Sequence, residues 1–163
     1  MLRDLLPFLI ANLLPQAELH TNVDSEHYTH IEKMMTFEIE RNKESKKELF
    51  GSRTLLRLHR ALDFTKQFLK ELVEMKDEDK VSTMAGNVYG RTMANYHPWL
   101  IRKAAGLALY SLPSRKDLIK KIAPDGIEDA VLKEKVEICV ENIDIVYNEI
   151  EQLYTKHLLH KLP

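Results

Sequence analysis

Cysteine occurs once in the 163 residues, at Cys139, so neither an internal disulfide framework nor a cysteine-based zinc site can be built, which fits a reducing compartment. Five glycines and six prolines leave little for a turn-rich architecture. Net charge is −1 at pH 7, so the chain as a whole attracts neither nucleic acid nor anionic membranes, and any anion site must be local. The apolar stretch LLPFLIANLL (5–14) covers about ten residues, whereas a bilayer span takes roughly 20. Read as a secretory signal it lacks a basic start, with Arg3 beside Asp4, and PQAELH is a weak cleavage site. The reading kept is a short helix broken by Pro7 and Pro15, with a signal as the alternative. No G-x-G-x-x-G, Walker loop, nucleophile elbow or H-E-x-x-H motif is present, and no repeat of 20 to 50 residues.

What the chain does contain is helical periodicity. DSEHYTHIEKMMTFEIER, from Asp24 to Arg41, spaces Tyr28, Ile31, Met35 and Ile39 for a helix capped by Asp24 or Ser25. The charge run NKESKKEL reads as a solvated helix end and loop. Ser52 is the expected cap of a long helix reaching about Met75, and a further helix should cover about Val81 to Asn95. Pro98 is placed at the first position of the next, PWLIRKAAGLALY, which is apolar nearly all round and therefore expected inside a bundle. Pro113 stops it. Ser114 and Asp117 form a capping pattern for RKDLIKKI, and an amphipathic stretch from about Ile127 to Leu159 makes one kinked helix or two. The fold class is all-α.

One helix carries an oddity. In SRTLLRLHRAL (52–62), Arg53, Arg57 and Arg60 fall within an arc of roughly 60°. Leu55, Leu58, Leu62, Leu69 and Val73 cluster opposite, while the arginine side continues into Phe64 and Phe68. The helix thus has two apolar sides where one suffices for a core, and a ligand with an anionic head and a long apolar body matches the second. Cations near a helix N-terminus oppose the macrodipole by roughly 0.3–1 kcal/mol each when exposed. Either a phosphate on the N-terminal amides and guanidinium forks compensates, or the arginines pair with neighbouring carboxylates or face water. His97, before Pro98, can donate from a ring nitrogen to an amide carbonyl or a phosphate, or is structural. Trp99 is either core or an interfacial anchor. His27 and His30 lack a third ligand for zinc, and His59 beside Asp63 lacks a nucleophile, so no metal, cofactor or catalytic centre is expected.

RTLLRLHRAL, followed some forty residues later by YHPWLIRKAAGLALYSLPSR, resembles the glycolipid transfer protein family, on the side of its branch that carries ceramide 1-phosphate. The similarity runs from SEHY at residue 25 to the end. It implies a two-layer all-α helical sandwich missing part of its N-terminal region, with residues 1–24 as an atypical segment and 25–163 as the family-like domain. It also implies a cytoplasmic monomer, transiently at membrane surfaces, that moves a sphingolipid without a cofactor or enzymatic step. By the same resemblance Arg53 and Arg57 match the arginines that hold phosphate, and His97 matches the histidine that contacts the lipid amide. Trp99 matches a tryptophan near the docking surface, Arg60 a supporting arginine, and Phe64 and Phe68 fall to the lipid-chain pocket. At the position of Arg57 the sugar-binding branch has a tryptophan. One departure stands out: the family places an aspartate on an early helix with, in this branch, a lysine four residues later, whereas here Phe8 follows Asp4 and the first lysine is Lys33. A truncated member that senses lipid without transferring it is the alternative.

Overall fold

Residues 25–45 and 49–162 are described by the computed structural model, and among them every regular element is helical apart from one isolated antiparallel bridge, Lys80 to Ser114. The helices are α1 (Ile31–Ser45), α2 (Phe50–Glu74), α3 (Val81–Thr92), α4 (Trp99–Tyr110), α5 (Arg115–Ile122) and α6 (Asp129–His157). Short 3-10 turns at Ser25–Tyr28 and Ala94–Tyr96 precede α1 and α4. The proposed N-terminal helix, the signal alternative and the Asp24 cap fall outside the described residues.

The chain divides into two units, one of residues up to Leu58 together with Ile150 onward, the other of His59–Glu149. In the first, Met35, Leu56, Ile150 and Tyr154 form the buried cluster, flanked by Met34, Leu55 and Leu153. In the second, Leu72, Val81, Met84 and Val88 are the cluster, with Phe64 and Phe68 packed against it. Helices α2 and α6 each contribute to both units.

The start of α1 differs from expectation. Ser25–Tyr28 is a 3-10 turn rather than the helix beginning, the Thr29 hydroxyl donates back to the Glu26 carbonyl at 3.1 Å, and the Met34 amide bonds the His30 carbonyl at 3.0 Å. A side chain that satisfies a backbone carbonyl locally competes with helix continuation. Tyr28 therefore leaves the helical stripe and its hydroxyl reaches the Glu38 carboxylate instead, at 3.3 Å.

Ser52 is not the cap of α2. The helix begins at Phe50, and the Arg53 amide makes the first bond to the Leu49 carbonyl, 2.9 Å. Leu49 brings no side-chain oxygen to this cap position, so the orphan amides of the first turn need an acceptor from elsewhere. Buried Glu38 on α1 supplies it, accepting from the Gly51 amide at 2.7 Å, the Ser52 amide at 2.9 Å and the Ser52 hydroxyl at 2.7 Å. The approach is close at Gly51, where a Cβ would lie 2.5 Å from Met34 Sδ and 3.0 Å from Glu38 Oε1, so a larger residue would displace the Met34 side chain. The core side of the helix shifts accordingly: Leu56 is buried while Leu58, expected on the apolar side, is 47% exposed.

Other boundaries follow local chemistry. Ser114 caps α5 as expected, accepting from the Asp117 amide at 3.3 Å. Residues 127–159 yield one helix, α6. It ends where Leu158 adopts φ 56° and the Leu159 amide bonds the Tyr154 carbonyl at 3.0 Å, a left-handed stop. Pro98 occupies the cap position of α4, its carbonyl accepting from Arg102 at 3.0 Å, so the helix starts one residue later than expected, at Trp99. Helix α4 does not lie inside a bundle: none of its residues is buried, and Trp99, Leu107 and Tyr110 are 64%, 75% and 83% exposed. Apolar composition records what a helix is able to bury, not whether a partner covers it; α4 packs along α3 and presents its remaining faces outward.

Candidate functional site

The three arginines of α2 share a face yet have different surroundings. Arg57 is exposed, while Arg53, one turn earlier, is half-buried with its guanidinium carbon 5.7 Å from the centre of the Phe50 ring. Their positions on the helix are separated by about 6 Å of rise. Arg60 lies over an aromatic ring, its guanidinium carbon 3.9 Å from the centre of Tyr96, an arrangement that gains cation–π attraction with the turn before α4.

Two first-turn amides of α2 are not open to a phosphate. The Glu38 carboxylate takes those of Gly51 and Ser52, which removes the amide contribution expected from helix position. It also answers the electrostatic question raised by the arginines, since an anion beside the first turn offsets cations that oppose the macrodipole. A phosphate contact here would thus fall to guanidinium forks rather than to the helix end. Tyr154 completes this arrangement by donating to the Ser52 carbonyl at 2.6 Å.

Phe64 and Phe68 stack at 5.9 Å between ring centres and pack against the Leu72 cluster. The aromatic continuation of the arginine face thus rests on a hydrophobic core while remaining only partly buried.

His97 stands in extended geometry, φ −107° and ψ 136°, between the Ala94–Tyr96 turn and α4. It is half-buried, and its Nδ1 lies 2.8 Å from the Tyr89 hydroxyl. Burial pushes the Tyr89 phenol above its ordinary pKa, with Arg102 opposing. Trp99 is exposed with the Lys103 ammonium 5.9 Å from its ring centre. Helix α4 combines exposed apolar side chains with Arg102 and Lys103 and has no acidic residue, the composition of a surface suited to lipid headgroups.

The remaining candidates have structural surroundings. His27 stacks on Phe37 at 4.1 Å, His30 meets the Thr29 hydroxyl at 3.0 Å, and no group of three or more metal-ligating side chains occurs among the described residues. His59 is buried and stacks on Tyr147, and Asp63 accepts from Gln67 at 3.0 Å. Sequence reasoning missed Glu38, Tyr89 and Arg115. Arg115 is buried and donates to the Leu72 carbonyl at 3.2 Å and to Asp77 and Asp129 at 2.6 Å each. These contacts, the Asp129 hydrogen bond foremost, hold its pKa above the ordinary value while burial opposes them. Its place at the end of SLPSR, just after the Ser114 cap, was the available signal.

Six helices without a strand among the described residues make the fold all-α, with paired arginines on one helix and an apolar, cationic helix on the surface. Residues 14–124 match the family model described as glycolipid transfer protein, and the chain belongs to that family. It is 32% identical over 162 residues to the ceramide-1-phosphate transfer protein of Mus musculus, covering 95% of this chain and 74% of that protein. The crystal structure of the mouse protein without ligand superposes with a TM-score of 0.80 at 33% identity, over 94% of this chain and 75% of that one. The human ceramide-1-phosphate transfer protein in complex with 12:0 ceramide 1-phosphate gives 0.86 at 27% identity, over 100% and 80%. The chain thus spans about three quarters of the length of these relatives. Among the described residues no helix is long and apolar enough to cross a membrane.

Proposed function

We propose that this chain binds ceramide 1-phosphate or a closely related phosphosphingolipid and carries it between membranes, with no chemical step, cofactor or metal. The observation that carries the proposal is the pair Arg53 and Arg57, one turn apart on the face of α2 that continues into Phe64 and Phe68. A guanidinium fork at Arg57 recognises phosphate bidentately and offers a sugar ring no flat apolar surface for stacking. Relatives that carry ceramide 1-phosphate in their names support the same lipid. His97 is assigned to the lipid amide, Arg60 to support of the turn before it, and Phe64 and Phe68 to the walls met by the lipid chains. Trp99 with the rest of exposed α4 is assigned to transient membrane contact. The carrier works as a cytoplasmic monomer, and residues 25–163 hold its binding groups.

Equilibrium binding tests this reading. Vesicles of neutral phosphatidylcholine with and without ceramide 1-phosphate are sedimented with the chain; retention that depends on the phosphorylated lipid and falls in Arg57→Ala supports it, and equal retention on both vesicles contradicts it. A second reading is a lipid sensor that binds without transferring. Binding without transfer between vesicles would select it.

A further inference from the structure

We propose that Tyr89 is the positioning residue for His97, donating its phenolic proton to Nδ1 and holding the imidazole in the tautomer that carries its own proton on Nε2. This deepens the assignment of His97 to the lipid amide and rests on that reading.

The geometry is direct. Tyr89 lies in the last turn of α3, its hydroxyl is 2.8 Å from Nδ1, and the two rings are 5.7 Å apart with a 37° tilt. A neutral imidazole has one donor and one acceptor nitrogen, and its hydrogen-bond partner decides which is which. A phenol is protonated at neutral pH and so has a hydrogen to donate, and partial burial raises its pKa further. With Nδ1 accepting, Nε2 bears the hydrogen, and an N–H is what an acyl amide oxygen requires. The opposite tautomer would turn a lone pair toward that oxygen and repel it.

A second contact holds the backbone from which the ring projects. Tyr96, immediately before His97, lies under the Arg60 guanidinium at 3.9 Å, and the His97 amide closes the turn onto the Ala94 carbonyl at 3.2 Å. The main chain is therefore held through Arg60 and Tyr96, and the ring through Tyr89. A binding group is effective when neighbours set its orientation before the ligand arrives.

The test uses Tyr89→Phe, which keeps the ring and removes only the hydroxyl. Two-bond proton–nitrogen correlation spectra of the 15N-histidine-labelled chain, with His97→Ala to assign the signal, report the tautomer without any lipid. The wild type is expected to hold its proton on Nε2, and Tyr89→Phe to lose part of that population to the Nδ1 form. Binding to ceramide 1-phosphate vesicles is expected to fall about three- to tenfold in Tyr89→Phe. The double variant should lose no more than His97→Ala alone, because Tyr89 acts through that ring. An unchanged tautomer in Tyr89→Phe, or additive losses in the double variant, overturns the proposal. Because the tautomer is read without lipid, a chain that binds no ceramide 1-phosphate overturns the function while the spectra still decide on Tyr89.

Discussion

Glu38 holds Ser52 twice, its carboxylate accepting from the backbone amide at 2.9 Å and from the hydroxyl at 2.7 Å, and so closes the N-terminus of the helix that carries the arginines. The contact joins residues 14 positions apart and puts an anion where the sequence pattern calls for one.

Removing that acceptor should destabilise the fold. Glu38→Ala leaves two helix amides and a hydroxyl buried without their acceptor, and each such group costs about 1–3 kcal/mol. Urea unfolding of Glu38→Ala should show a loss of at least ~2 kcal/mol, and Ser52→Ala a loss of ~1 kcal/mol. A wild-type midpoint for Glu38→Ala would contradict the capping role.

Arg57 should matter for ligand and not for fold. It is exposed, so Arg57→Ala should change stability by less than ~0.5 kcal/mol. The same change removes a charge-assisted contact of about 1.5–3 kcal/mol and should weaken ceramide 1-phosphate binding about ten- to a hundredfold. Arg57→Lys keeps the charge without the fork and should fall between the two. Isothermal titration with a short-chain ceramide 1-phosphate separates the three.

The acid limb of stability should report Asp144. A hydrogen bond from Lys66 at 2.8 Å holds its carboxyl below the ordinary value, burial opposes, and Lys66 and Lys70 add charge attraction. A folded-state pKa below the unfolded one means that the unfolded chain binds more protons between the two. The contribution is therefore present above the unfolded value of about 3.9 and is lost as pH falls through the folded value. With the carboxylate about a third exposed, the pair contributes at most about 1 kcal/mol. Asp144→Asn should lower the urea midpoint near neutral pH and reduce its drop on acidification, and an unchanged pH profile would contradict the pairing.

Leu158 sits in the left-handed region at φ 56° and is 85% exposed. That conformation costs a side chain about 1–2 kcal/mol, partly offset by the entropy glycine loses on folding. Leu158→Gly should raise thermal stability by roughly 0.5–1 kcal/mol in calorimetry. A loss would mean that the side chain contributes more than the backbone strain removes.

The legible parts of this molecule were the local ones. Spacing of 3.6 residues located the helices and placed Arg53, Arg57 and Arg60 on one face, and Ser114 could be read as a cap because its partner amide is three residues away. Glu38 could not be assigned to α2, because no periodicity in one helix specifies which residue of another reaches its end. The exposure of α4 was illegible for a related reason: an apolar helix next to Pro98 looks the same whether or not something covers it. Tyr89 lay within reach of sequence reasoning, eight residues before His97 across a helix end, yet nothing in the residue types distinguishes a tyrosine that holds a histidine from one that packs.

Transfer between vesicles tests the central claim most directly. Donor vesicles carrying fluorescent ceramide 1-phosphate, or a fluorescent glycosylceramide of the same chain length, are mixed with acceptor vesicles and the chain, and movement is followed by loss of energy transfer. Selective movement of the phosphorylated lipid, lost in Arg57→Ala, is the expected result. Equal movement of both lipids, or an Arg57→Ala variant as active as the wild type, would contradict the assignment of the arginine face to phosphate.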